Sequence, residues 1–129
     1  MNTDSICALV CDSLDNLKGI DTIVLDVREK TSVTDTMVIC TGTSARHVKS
    51  LANEVLEKAK AANIDILGAE GQSQGDWVLI DLGDVVAHVM TAQTRDFYAL
   101  EKLWSIDGES DAEGVDSAVE HISKLRQQK

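Results

Sequence analysis

The chain has 129 residues, and 43% of them are apolar, enough to bury the core of one domain. Aromatic residues make up 3%, so that core is aliphatic. Acids outnumber bases 22 to 12, a formal net charge of −10, which excludes the basic footprint of a nucleic-acid binder and points to a basic protein as partner.

No run of about 18 apolar residues is present, so no membrane contact by a spanning helix is expected. The start, "MNTDSICALVCDSLDNL", carries acids and lacks the basic flank of a signal peptide, so a cytoplasmic location is expected. It reads as an amphipathic helix capped by Asp4 or Ser5. Its apolar stripe is Ile6, Leu9, Val10, Leu14 and Leu17, and Gly19 ends it. "TIVLDV" (22–27) and "VTDTMVICT" (33–41) are β-branched strands around a polar turn, hence a hairpin. Ser44 caps a long helix to about Ala62. Val48, Leu51, Ala52, Val55, Leu56 and Ala59 form its stripe, and Asn63 takes the left-handed stop. "IDILGAEG" is a short strand running into the loop "EGQSQGD". Two strands, 77–83 and 85–91, follow around Gly83-Asp84, and a third helix spans 94–104.

The order is α-β-β-α-β-β-β-α, a mixed α/β domain with a single sheet and flanking helices. After Trp104 the composition turns acidic and poor in apolar residues, then "SAVEHISKLRQQK" offers a short stripe of Val115, Val119, Ile122 and Leu125. Residues 1–105 are therefore expected as the domain. Residues 106–129 are expected as an acidic extension, a linker plus a short helix.

The stretch "CTGTSARHVKSL" (40–51) sets a glycine-serine turn at a helix start, where backbone N–H groups and the helix dipole favour anions. A P-loop needs a lysine after the turn, and a Rossmann turn needs three spaced glycines. Here there is no such lysine, and Gly42 stands alone. A nucleotidyltransferase site needs paired carboxylates for magnesium. Asp81 and Asp84 are the nearest candidates, and their spacing does not project both from one strand face. The turn is expected to be a helix cap, with no cofactor, no metal and no catalytic residue. His47, His88 and His121 lack ligand spacing. Cys7, Cys11 and Cys40 form no CxxC pair and read as small buried thiols in a reducing compartment.

The four aromatic residues are Trp77, Phe97, Tyr98 and Trp104. Alternation puts Val78, Ile80 and Leu82 on one strand face, as core. Trp77, Leu79 and Asp81 share the other face. Two readings stay open. Both faces are covered by helices with Trp77 packed in, or Trp77, Leu79 and Asp81, with Arg95, Tyr98 and Lys102 beside them, form an exposed apolar patch rimmed by charge that binds a protein.

"LDVREKTSVTD", "VICTGTSARHV", Glu70-Gly71, "DWVLIDLGDVVAHVM" and "RDFYALEKLW" occur in order and spacing over about residues 5–105. Together they resemble the ribosomal silencing factor (RsfS, YbeB or Iojap-like) family. The resemblance implies a nucleotidyltransferase-like shape without catalysis and a homodimer when free. It also implies binding to the large ribosomal subunit through ribosomal protein L-fourteen. Subunit joining would be blocked sterically, repressing translation in stationary phase or starvation. Many members of that family have Asp-Tyr-Phe where this chain has Asp35-Thr36-Met37, and phenylalanine where it has Met90, so two aromatics of the family pattern are replaced here. The rival functions are a nucleotide-binding, nucleotidyltransferase-like protein and a dimeric adaptor for a non-ribosomal partner.

Overall fold

The computed structural model describes residues 2–29, 32 and 34–98, with 96–98 as backbone only. Its elements are α1 (Thr3–Asn16), β1 (Ile20–Asp26), β2 (Thr36–Gly42), α2 (Ala45–Ala61), β3 (Gly68–Glu70), β4 (Trp77–Asp81), β5 (Val85–Thr91) and α3 (Ala92–Tyr98). The element order and the mixed α/β class are those expected from sequence. The expectations for residues 99–129, including the acidic extension, lie outside the described residues.

The five strands form one sheet in the order β1-β2-β5-β4-β3. The hairpin β1–β2 is antiparallel, with Val24 opposite Val38. The meander β3-β4-β5 is also antiparallel. The two halves meet where β2 runs parallel to β5, from Thr36 opposite Val85 to Gly42 opposite Thr91. A parallel pair needs a long crossover, and α2 with β3 and β4 supplies it.

The cap of α1 differs from expectation. Asn2 takes an extended backbone and its side chain accepts the Ser5 N–H at 2.8 Å. Asp4 then falls in the first turn, where its charge faces the positive helix end. At the other end Lys18, not Gly19, adopts the left-handed conformation. Gly19 is required for space: a Cβ there would run into Cys40 Sγ and lie 3.1 Å from the Leu14 carbonyl. In α2 the expected features hold. Ser44 Oγ accepts from His47 N at 3.1 Å, and Asn63 has φ 59°.

The central strands β2, β5 and β4 are buried on both faces, while the edge strand β1 stays largely exposed. Ile6, Val10 and Leu14 of α1 and Val48, Leu51 and Val55 of α2 pack on Val38, Cys40, Val78, Ile80 and Val89. The opposite face holds a second cluster, Val27, Met37, Ile39, Leu79, Val86 and Met90, none more than 1% exposed. Each such side chain contributes roughly 1.5–3 kcal/mol on burial. α3 starts across this second face: Arg95 reaches Thr41 Oγ1, and Thr41 shares its strand face with Met37 and Ile39. Met37 and Met90 are therefore core, not surface.

All three thiols are free, and Cys40 is buried. Partial burial, then the neighbouring Cys7, push the Cys11 thiol up to about 11 from an ordinary 9.0. A thiol raised this way favours the fold in its neutral form. Its contribution is fully present below pH 9 and is lost as pH rises from 9 through 11. The urea midpoint is expected to fall over that window, and Cys11→Ala to flatten the fall. An identical alkaline slope in the variant would remove Cys11 as the cause.

Candidate docking site

The sequence stretch that first suggests a ligand is occupied by the chain itself. Thr43 N donates to His47 Nδ1 at 2.9 Å, which leaves the neutral ring's proton on Nε2, 2.8 Å from Leu17 O. His47 thus ties the turn to the end of α1. Gly42 serves close packing: a Cβ there would sit 2.7 Å from Val48 Cγ2 and 2.9 Å from Val48 N. Asp81 and Asp84 are remote from it. Gly42 pairs with Thr91 at one end of β5, while Asp84 precedes Val85 at the other, roughly 20 Å away at ~3.3 Å per residue. Asp81 Oδ1 accepts the Gly83 N–H at 2.9 Å, and Asp84 Oδ2 lies 3.4 Å from Thr3 Oγ1. Asp81 and Asp84 therefore make no magnesium-holding pair at the turn. Among the described residues no group of three or more His, Cys, Asp or Glu side chains could hold a metal ion.

The other candidate centres on Trp77, the first residue of β4. Its indole Nε1–H donates to His88 Nδ1 at 2.9 Å, and the two rings stand 5.7 Å apart at 46°. This bond occupies His88 Nδ1 and fixes the indole. Trp77 stays partly exposed and, with Glu70, Gln74, Asp76 and Thr94, lines a cavity of about 300 Å³ over Leu79. The loop between β3 and β4 is shaped by Gly71 (φ 91°) and Gly75 (φ 76°). Gly75 lies so close to Ala45 of α2 that a Cβ would meet its carbonyl at 2.7 Å. Thr91 N donates to Asp76 O at 3.0 Å and holds the loop's far end.

The expected patch is only partly a surface. Leu79 is 1% and Asp81 0% exposed, because the second sheet face is core and the Asp81 carboxylate closes the β4–β5 turn. Arg95 is also turned inward rather than rimming a patch. Its Nη1 donates to Asp21 O and Thr41 Oγ1, both at 2.8 Å, strapping α3 to β1 and β2. The side chain of Tyr98 and the whole of Lys102 lie outside what is described. Sequence reasoning missed Glu70 and Asp76, although both carboxylates flank a glycine-bearing loop that ends at a tryptophan.

The model of the family described as "Ribosomal silencing factor during starvation" matches residues 2–129. The chain belongs to the ribosomal silencing factor family. It is similar to the ribosomal silencing factor RsfS of Haemophilus influenzae, 42% identical over 101 residues, covering 78% of this chain and 99% of that one. It is similar to a crystal structure of a Chromobacterium violaceum protein, with TM-score 0.79 and 47% identity, covering 81% of this chain and 87% of that chain. A mouse protein named for mitochondrial assembly of the ribosomal large subunit is 34% identical over 89 residues, covering 67% of this chain and 39% of its own length. The Haemophilus influenzae relative carries the name of a silencing factor, a regulatory role. In this member of the family, among the described residues, no helix is long and apolar enough to cross a membrane.

Proposed function

We propose that this chain represses translation by docking on the large ribosomal subunit through ribosomal protein L-fourteen and physically blocking the small subunit. The observation that carries the proposal is membership of the silencing family, over the whole described fold. A net charge of −10 suits a basic protein partner and speeds the encounter. Steric exclusion needs no reaction, and the one turn that resembles a phosphate loop is spent on capping α2. The free protein is proposed to be a cytoplasmic homodimer. The Trp77 edge is the proposed contact, with Tyr98 and Lys102 beside it, while Leu79, Asp81 and Arg95 support it from inside.

The test is co-sedimentation with isolated large subunits, followed by addition of small subunits. Pelleting with large subunits and a reduced yield of joined ribosomes is expected. Protein that remains in the supernatant at low and moderate salt overturns the proposal.

A further inference from the structure

We propose that the cavity walled by Glu70, Asp76 and Trp77 receives a single lysine or arginine side chain from a basic protein surface. Its volume, about 300 Å³, lies at the lower limit for small-molecule sites and suits one long side chain. The charge is complementary. Glu70 and Asp76 are exposed, and the one ion pair among the described residues is Arg28–Asp26, elsewhere on the chain. Among the described residues, neither of these two carboxylates takes part in an ion pair. An indole wall attracts a cation to its face, and the Leu79 floor accepts the aliphatic stem of the incoming side chain.

The walls are also set in advance. His88 holds the Trp77 ring, Gly75 seats the loop on Ala45, and Thr91 N clamps Asp76. A partner therefore spends little on ordering this site. A rim of unpaired charge acts mainly on association rate and salt dependence. That the cation comes from a ribosomal protein rests on the docking proposal above; the class of side chain does not.

The experiment uses the full chain labelled with ¹⁵N. The Trp77 indole cross-peak, assigned with Trp104→Phe, is followed while N-acetyl-arginine methylamide or its uncharged citrulline counterpart is added. A saturable shift with the arginine compound and none with citrulline is expected. Glu70→Gln with Asp76→Asn is expected to weaken that response at least tenfold, with an unchanged urea midpoint because both side chains are exposed. An equal response to citrulline, or unchanged arginine binding in the double variant, overturns the proposal. So does an equal shift with magnesium chloride alone. With large subunits, the double variant is expected to pellet about tenfold more weakly than the parent and to lose most of its salt dependence. If the parent itself fails to pellet, docking is refuted, and the arginine titration alone decides the cavity.

Discussion

Leu79→Ala is expected to cost about 2–5 kcal/mol, the range for emptying a leucine site in a core. Leu79 is 1% exposed and packs with Val27, Met37, Ile39, Val86 and Met90 on the second face of the sheet. Removing its side chain leaves a void there, and the sheet on which it stands cannot close in. Urea unfolding gives the size of the loss. Trp77→Phe, which keeps a ring at the strand's start, is expected to cost well under that, about 1–1.5 kcal/mol, mostly the hydrogen bond to His88. If the leucine variant loses less than the tryptophan variant, the second face is not core. Were Leu79 instead a surface anchor, its alanine variant would keep the parent's midpoint and lose docking alone.

Gly71→Ala is the second large effect. The residue has φ 91°, and a Cβ would run into the Trp77 carbonyl, which is backbone and cannot swing aside. Gly83 gives the control. Its φ is 89°, yet a Cβ there meets only Leu67 Cδ1 at 3.9 Å. Gly83→Ala therefore carries the conformational strain alone, on the order of 1–3 kcal/mol. Gly71→Ala carries the same strain and also displaces the start of β4. It is expected to be clearly the more destabilising of the two by thermal or urea unfolding, and to shift the Trp77 fluorescence. Equal losses at both positions would mean that the loop yields freely and does not hold the cavity's shape.

Much of the fold is legible because local chemistry and tertiary packing agree. The stripe of α2 reads correctly from spacing of three and four, Ser44 from its cap chemistry, and Asn63 from its tolerance of positive φ. The start of α1 is misread because four consecutive cap-forming residues, Asn2 to Ser5, compete there, and only backbone geometry selects Asn2. The candidate site is less legible. In strand 77–82 one face is wholly apolar and the other ends in an acid, which looks like a solvated edge. The acid is instead consumed by its own turn, through Gly83 N. Arg95 misleads for a different reason: its acceptors, Asp21 O and Thr41 Oγ1, are far away in the chain. A polar group satisfied by distant partners leaves no pattern in the sequence near it. Glu70 and Asp76 line one cavity from the two ends of a loop that turns through the left-handed Gly71 and Gly75.

The single parallel seam between β2 and β5 has a kinetic consequence. The hairpin on one side and the meander on the other are each built from neighbours in the chain, whereas the seam joins residues about fifty positions apart. The two halves can form early and independently, but neither has a covered sheet edge until they meet. Closure of the seam is therefore expected to be the slow, committing step of folding. Substitutions along Val38 and Val89 are therefore expected to retard refolding, while those in the turn at Gly83 mainly hasten unfolding.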